Sequence, residues 1–272
     1  MSSAVVIPAA GLGLRLGGET PKAFREVGGD SLLVHAVRGL RAASAADLVC
    51  FVVAVPPGSE ETVGKELAPY VGDARLLVVA GGAERPASVR AALDVVPVDG
   101  IDCILVHDAA RAFVPAEVIE RVVATVRAGA DAVVPVVPVT DTIKVVGPHG
   151  EVVDTPDRST LVAVQTPQGF SPEVLRRAHA AGADAAVTDD AMMCERLGVT
   201  VQTVEGSPDA FKVTRPQDLV LAEALLARRE REQLGGQPNA GTGPAAAPER
   251  EERVIGQPSG WPGDGSGGGQ AG

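Results

Sequence analysis

The sequence contains few aromatic residues, few cysteines and no excess of positive charge. Aromatic residues make up only 3% of the 272 residues, so a buried core must be built from Val, Leu, Ile and Ala. The three cysteines, Cys50, Cys103 and Cys194, do not have the spacing of metal ligands. We expect them to be small core residues of a reduced, cytoplasmic protein. The net charge of −11 argues against binding to nucleic acid, and solubility alone accounts for it.

Long apolar segments are also missing. No run approaches the roughly 18 residues of a membrane-spanning helix, and the N-terminus does not have the pattern of a secretory signal. We therefore expect neither a membrane span nor export. Residues 235–272 are rich in Gly and Pro and almost free of large apolar side chains. This composition predicts a compact domain over 1–231 followed by a disordered tail over 232–272.

Short apolar runs alternate with helical patterns along the compact part. The runs predict strands buried on both faces of a parallel sheet: Leu48–Val55, Leu76–Ala80, Cys103–Val106 and Ala132–Val137. The intervening patterns predict helices: Ser31–Ala43, Glu84–Val95 and Pro115–Ala128, with a closing helix over 215–231. This order indicates an α/β fold with a mostly parallel, twisted sheet and helices on both of its faces.

A polar segment over 138–165 interrupts this alternation. Two short strands flank the turn Gly147-Pro148-His149-Gly150, which predicts a β-hairpin. The segment is too polar to belong to the main core. We interpret it as an extended arm that packs on a partner subunit, and a solvent-exposed loop is the alternative.

A glycine-rich loop, Pro8–Gly17, follows the first apolar strand. Its glycines allow backbone N–H groups to approach phosphate oxygens, and Arg15 and Lys22 add positive charge. A dinucleotide-binding loop would have a third glycine in place of Leu16, and an acidic residue where the second strand ends in Val55–Pro57. A Walker loop is also missing. The pattern indicates a nucleotide-binding loop with its own cations and argues against an oxidoreductase.

Further polar clusters follow other strands, where ligands of open α/β sheets gather. Gly81–Ser88 forms a second glycine turn after one strand. After the next strand, Asp108 suits Mg²⁺, although a helix N-cap is an alternative, and His107 is more typical of a structural histidine. Arg111 is compatible with a structural ion pair, and Lys212, before the last helix, with a surface lysine.

With these motifs assembled, the sequence resembles the 2-C-methyl-D-erythritol 4-phosphate cytidylyltransferases of the non-mevalonate isoprenoid pathway. The similarity covers nearly all of 4–227. Its segments are P-A-A-G-x-G-x-R-x-G and P-K within 8–22, G-G-x-x-R-x-x-S-V at 81–89, V-H-D-A-A-R at 106–111, D-T-I-K at 141–144, Q-T-P-Q-x-F at 165–170, T-D-D-A-x-x-x-E at 188–195 and K-V-T-x-P-x-D-L at 212–219. Each segment alone is weak evidence, whereas all seven in this order are strong evidence.

The resemblance implies a Rossmann-like nucleotidyltransferase fold and a homodimer in which each arm reaches the partner's active site. It also implies transfer of CMP from CTP to a polyol phosphate, methylerythritol phosphate, with Mg²⁺ as cofactor. The residues implied for the nucleotide are Pro8, Ala9, Ala10, Gly11, Gly13, Gly82, Ala83, Ser88 and Ala109. The catalytic residues implied are Arg15, Lys22 and Lys212. Those implied for the polyol phosphate are Asp108, also the metal ligand, Arg111, Thr142, Arg158, Thr166 and Thr188. Ala83 stands where an aspartate is often found, so base contacts there would come from the backbone.

Two other functions are compatible with parts of this pattern. Ribitol-5-phosphate cytidylyltransferases use similar loops, but the T-D-D-A-x-x-x-E and H-D-A-A-R segments favour methylerythritol phosphate. A catalytically silent nucleotide-binding module is the second alternative. Such modules usually lose a cation or the metal carboxylate, whereas Arg15, Lys22, Asp108 and Lys212 are all present.

Overall fold

The structure, a computed structural model, describes residues 2–11, 20–182 and 187–235, with side chains of the last helix as far as 232. Contacts group residues 1–233 in one compact unit. The last helix continues to Gly235, four residues beyond the predicted end of the domain. The rest of the predicted tail, 236–272, lies outside the described residues.

The described residues form one central sheet of eight strands and two small hairpins. The strands are β1 (Ser2–Pro8), β2 (Glu26–Val27), β3 (Asp30–Ser31), β4 (Leu48–Val55), β5 (Arg75–Ala80), β6 (Ile101–Val106), β7 (Ala132–Pro138), β8 (Val145–Val146), β9 (Val152–Asp154), β10 (Val162–Val164), β11 (Gln168–Phe170) and β12 (Val201–Glu205). The central sheet has the pairing order β10-β7-β11-β6-β1-β4-β5, and β12 also pairs with β7. Parallel pairs join β1 to β4 and β6, β4 to β5, and β7 to β12, whereas β10 and β11 run antiparallel to their neighbours.

Helices cover both faces of this sheet, as predicted. They are α1 (Leu32–Ala42), α2 (Glu60–Leu67), α3 (Arg85–Leu93), α4 (Ala116–Arg127), α5 (Pro172–Ala180), α6 (Asp190–Arg196) and α7 (Pro216–Gly235). Successive strand residues point to opposite faces, so Val5 and Ile7 pack with α1, α2 and α4. Ala4 and Val6 of the same strand pack with α3, α5 and α6. The core is almost entirely aliphatic, and Phe51 and Phe170 are its largest fully buried side chains.

Strand β5 differs from the prediction that its run would be buried on both faces. Its residues are all exposed or half-buried. The reason is its position at the edge of the sheet, where β4 is its only partner among the described strands. The predicted strand exists, but its burial was predicted incorrectly because the sequence does not show which strand is outermost.

The interrupting segment contains the predicted hairpin, formed by β8 and β9. It also contains β10, which returns to the central sheet and pairs with β7. We therefore use "the arm" for residues 139–161, the part that leaves the sheet. The arm carries exposed apolar side chains, at Ile143, Val145, Val146, Val152 and Val153.

Two further sequence predictions can be compared with the structure. The three cysteines are buried and unpaired, and burial raises the pKa of the Cys103 thiol to about 12. They are therefore inert core residues at neutral pH. Among the described residues, no helix has the length and apolar character needed to cross a membrane.

Candidate active site

A cleft of about 270 Å³ opens at the carboxyl ends of β1, β5 and β6. Eleven residues predicted from the sequence line it: Pro8, Ala9, Ala10, Gly11, Lys22, Gly82, Ala83, Ser88, Asp108, Ala109 and Lys212. Four more residues complete the lining: Ala23, Glu84, Arg85 and Ala110. The predicted residues Gly13 and Arg15 lie outside the described part of the chain.

One wall of the cleft is built from small residues packed at close range. The backbone N–H of Ala9 donates to Ala54 O at 2.7 Å, and that of Gly81 donates to Val55 O at 2.7 Å. A Cβ atom on Gly81 would collide with the Cβ of Ala10, and one on Gly82 would lie 2.5 Å from the Cβ of Ala87. Glycine is therefore required at both positions by the space available. The lining residues 8–11 and 82–83 carry no side chain larger than that of proline, and we call them the backbone-lined wall.

Ser88 stabilises the glycine turn of this wall. Its hydroxyl oxygen accepts a hydrogen bond from Gly82 N at 3.1 Å. It also lies 3.3 Å from Gly82 O and 3.2 Å from Glu84 O, as donor to these carbonyls. Because Ser88 is buried, the hydroxyl holds the turn in shape at the point where helix α3 begins.

The opposite wall contains a buried carboxylate between two cations. Asp108 Oδ2 accepts from Lys212 Nζ at 2.6 Å, and Oδ1 accepts from Arg85 Nε at 3.2 Å. Burial alone would raise the pKa of Asp108, but the charges of Arg85 and Lys212 hold it well below its usual range. Asp108 is therefore a carboxylate at neutral pH, and it fixes the position of the Lys212 ammonium group at the cleft.

Thr166 and His107 support Asp108 from behind. The hydroxyl oxygen of Thr166 accepts from Asp108 N at 3.0 Å and lies 3.2 Å from His107 Nδ1. Burial lowers the pKa of His107 to about 4, so the imidazole is neutral at pH 7 and shares one hydrogen bond with the threonine hydroxyl. His107 has the structural role that the sequence favoured.

Arg85 is one of the four lining residues to which the sequence reasoning assigned no role, and it makes ion pairs on both of its sides. Besides Asp108, it donates from Nη1 to Asp190 Oδ2 at 2.7 Å, and His179 Nε2 lies 2.9 Å from Asp190 Oδ1. Burial alone would lower the pKa of Arg85, but the carboxylates of Asp190 and Asp108 raise it above its usual value. The signal was present in the sequence, since Arg85 belongs to the G-G-x-x-R segment and Asp190 to the T-D-D-A segment.

Other predicted site residues do not line the cleft of their own chain. The Arg111 guanidinium group donates to the carbonyl oxygens of Ala210 at 2.7 Å and Val164 at 3.0 Å, so this side chain links two backbone segments. Thr142 and Arg158 are exposed in the arm, and Arg158 donates to Thr140 O at 3.1 Å. The predicted residue Thr188 is also exposed, just before α6.

The cleft fits a divalent cation only as a companion of phosphate groups. Within the described residues, no three His, Cys, Asp or Glu side chains come together as a metal site. Both oxygens of Asp108 already accept from cations. Mg²⁺ commonly binds one or two carboxylates together with substrate phosphates and water. Asp108 suits that arrangement, whereas a metal held by protein groups alone does not.

Comparison with known proteins assigns the family. Residues 3–228 match the family model described as 2-C-methyl-D-erythritol 4-phosphate cytidylyltransferase. The chain belongs to this family. It is similar to the proteins of that name from Rhodococcus jostii (strain RHA1), 54% identical over 81% of this chain and 93% of the relative, and Rhodococcus opacus (strain B4), 53% identical over the same shares.

A solved structure of a 2-C-methyl-D-erythritol 4-phosphate cytidylyltransferase, from Thermus thermophilus, has the same fold. It is 39% identical to this chain, with a TM-score of 0.67 over 84% of this chain and all of the other. The resemblance deduced from seven short segments is thus confirmed over nearly the whole compact part. The roles of individual cytidylyltransferase residues stay predictions, because the comparisons address the chain and not the site.

Proposed function

We propose that the protein transfers the cytidylyl group of CTP to 2-C-methyl-D-erythritol 4-phosphate, a step of non-mevalonate isoprenoid biosynthesis. The products are 4-diphosphocytidyl-2-C-methyl-D-erythritol and pyrophosphate. The observation that carries the proposal is the cleft that joins a backbone-lined wall to Lys22 and the Lys212–Asp108 pair. It lies in a chain that matches the cytidylyltransferase family over residues 3–228.

The backbone-lined wall is proposed as the nucleotide site. The small residues after β1 and the glycine turn after β5 line the same part of the cleft, and we expect the pyrimidine ring to lie against their main-chain groups. Backbone N–H and C=O groups can read the edge of a base without a long side chain. This supports the expectation that Ala83 contributes through its backbone.

The chemistry follows from the charge of the reactants. The 4-phosphate of the acceptor is already an anionic nucleophile, so the reaction requires no strong general base. One of its oxygens forms a bond to the α-phosphorus of CTP, the bond from that phosphorus to the bridging oxygen breaks, and pyrophosphate leaves with the electron pair. The site must reduce the repulsion between two anions and stabilise the charge of the transition state. Lys22 and Lys212 line the cleft, and we assign this task to them and to Arg15.

The Lys212 ammonium group is positioned before substrate binds, because it donates to Asp108, whose carboxylate is itself held by Arg85. Such preorganised charge stabilises a transition state without reorganisation during the reaction. Nucleotidyltransferases of this kind generally use divalent cations, and we propose Mg²⁺, with Asp108 as its protein ligand. When bound, the cation would neutralise part of the triphosphate charge.

We also propose a homodimer in which each arm completes the partner's site. The arm exposes five apolar side chains that nothing covers in the described part of its own chain. Thr142 and Arg158, which we assign to the polyol phosphate, lie on this arm and not at the cleft of the same chain. A second copy of the chain would cover the apolar side chains and receive both residues.

We also propose a cytoplasmic location, since all three cysteines are free thiols.

The test is pyrophosphate release by the purified protein with CTP and Mg²⁺. We expect release with methylerythritol 4-phosphate and not with ribitol 5-phosphate. Release with ribitol 5-phosphate alone would transfer the protein to the sibling activity. If neither acceptor gave pyrophosphate while CTP raised the melting temperature, the catalytically silent module would be the correct description.

A further inference from the structure

The side chain of Gln165 forms a closed pair with the backbone of one other residue. Its Nε2 donates to Ser207 O at 2.8 Å, and its Oε1 accepts from Ser207 N at 3.0 Å. Gln165 is 4% exposed, so its amide is out of reach of bulk water. An amide that satisfies both backbone groups of one residue imitates the pairing of a neighbouring strand.

The contact between Gln165 and Ser207 is closely packed. Gly206 precedes Ser207, and a Cβ atom there would collide with Gln165 Oε1 and lie 3.0 Å from Val136 O. Both segments are also anchored to β7, since Gly206 N donates to Val136 O at 2.8 Å and Gln165 N donates to Pro135 O at 2.8 Å. We call Gln165, Gly206 and Ser207 the amide clamp.

The segment that follows the amide clamp leads directly to Lys212. Arg111 holds it at Ala210 O, at 2.7 Å, and Val213 N donates to Ala110 O at 2.9 Å. The backbone of Lys212 is thus fixed on both sides, and the amide clamp fixes the start of the segment. The lysine side chain then reaches Asp108 Oδ2 at 2.6 Å.

The residue after Gln165, Thr166, holds Asp108, the ion-pair partner of Lys212. Thr166 accepts from the backbone N–H of Asp108 at 3.0 Å. Two successive residues therefore hold the two partners of the Lys212–Asp108 ion pair. Gln165 fixes the segment that leads to Lys212, and Thr166 fixes the backbone of Asp108. Gln165 itself is not among the residues that line the cleft.

We infer that Gln165, through the amide clamp, is a positioning residue that sets the place of Lys212 for the transfer step. The inference rests on the proposed function, in which Lys212 acts on the phosphates. A displacement of about 1 Å at a reacting centre costs on the order of 100-fold in rate, so loss of the clamp has a measurable effect on kcat. Binding of CTP to the backbone-lined wall does not depend on it.

The experiment replaces Gln165 with methionine, which keeps the length and packing of the side chain but neither hydrogen bond. We expect Gln165→Met to lower kcat by about 10- to 100-fold, with KM for CTP within twofold of wild type. Gln165→Ala, which also removes packing, should lower kcat as much and the melting temperature more. Gln202→Met is the matched control at an exposed position of β12, and it should leave kcat unchanged.

A second variant breaks the clamp from the other side. Gly206→Ala pushes the Gln165 amide away, so it should lower kcat like Gln165→Met, and the two changes together should cost little more than either. In a Lys212→Ala background, Gln165→Met should change kcat by less than twofold, because the positioned group is already missing.

The outcomes separate this inference from the proposed function. Full kcat in Gln165→Met, or a kcat effect that persists undiminished in the Lys212→Ala background, would overturn the positioning role. If Gln165→Ala lowered kcat and Gln165→Met did not, Gln165 would act through packing alone. That result would also overturn the positioning role. Full activity in Lys212→Ala itself would instead refute the role of Lys212 in the proposed function.

Discussion

The buried carboxylate of Asp190 provides the sharpest test of how the site is supported. Asp190 is fully buried and accepts from Arg85 Nη1 at 2.7 Å and from His179 Nε2 at 2.9 Å. Asp190→Ala would leave the His179 nitrogen without its partner and Arg85 with Asp108 only. We expect the variant to fold with a clearly lower free energy of unfolding.

The magnitude follows from the burial of the groups left behind. Removing one member of a buried ion pair costs about 3–5 kcal/mol, because the other charge is stranded. Here the Arg85 side chain is 27% exposed and keeps a second carboxylate, so we expect the lower end, about 3 kcal/mol. At about 2–4 °C per kcal/mol for a domain of this size, the melting temperature should fall by about 6–12 °C.

The measurement is urea unfolding at pH 7 followed by far-UV circular dichroism. Tryptophan fluorescence is unsuitable, since the only tryptophan, Trp261, is in the Gly- and Pro-rich tail. Asp73→Ala is the matched control, because Asp73 pairs with Arg41 at the surface and is 89% exposed, and such pairs contribute about 1 kcal/mol or less. Equal losses in Asp190→Ala and Asp73→Ala would refute the reasoning.

The same residue predicts how stability depends on pH. Burial alone would raise the pKa of Asp190, but the hydrogen bond from His179 and the charge of Arg85 hold it below its usual value. The contribution of the Asp190 carboxylate to the free energy of unfolding is therefore complete above the ordinary carboxyl pKa of about 4. It is lost as the pH falls through the lower pKa of the folded state. The difference in unfolding free energy between wild type and Asp190→Ala should shrink below about pH 4; a difference that grew in acid would contradict this assignment.

Four further predictions concern the proposed reaction. Lys22→Ala should lower kcat by at least ~100-fold, while the exposed Lys65→Ala should not; an unchanged kcat in Lys22→Ala would remove that lysine from the mechanism. Gly82→Ala should raise KM for CTP by about 10-fold through crowding of the glycine turn, and an unaltered KM would place the nucleotide elsewhere. Arg158→Ala should raise KM for methylerythritol 4-phosphate more than KM for CTP, measured by pyrophosphate release, and equal increases would count against an arm supplied by the partner. Val146→Asp should shift the protein toward monomer in sedimentation equilibrium, and a dimer of unchanged stability would separate the arm from the interface.

Local sequence patterns predicted strands β1 and β4 to β7, the hairpin of β8 and β9, and helices α1, α3, α4 and α7, but not α2, α5, α6 or β12. Most residues of the cleft followed from the family resemblance. The apolar run Leu48–Val55 coincides with strand β4, because a β-branched run bounded by Pro and Asp has few other stable conformations. Lys22, Asp108 and Lys212 meet at the cleft. Lys22 and Asp108 were expected there because they lie in the loops that follow the neighbouring strands β1 and β6, whereas Lys212, before α7, was assigned from the family resemblance. The family followed from the order of the motifs.

Tertiary structure alone decided the contacts between distant residues. The edge position of β5 depends on which strand pairs with it, and nothing in the run Leu76–Ala80 expresses that choice. Arg85 reaches Asp190 across 105 residues of sequence, and Gln165 reaches Ser207 across 42. The identity of these residues is visible in the sequence, but their partners depend on the packing of whole elements. The sequence therefore determined the fold class, the family and the chemical groups of the cleft, whereas the folded chain determined which groups hold them in place, since hydrogen bonds and ion pairs require distances that only packing sets.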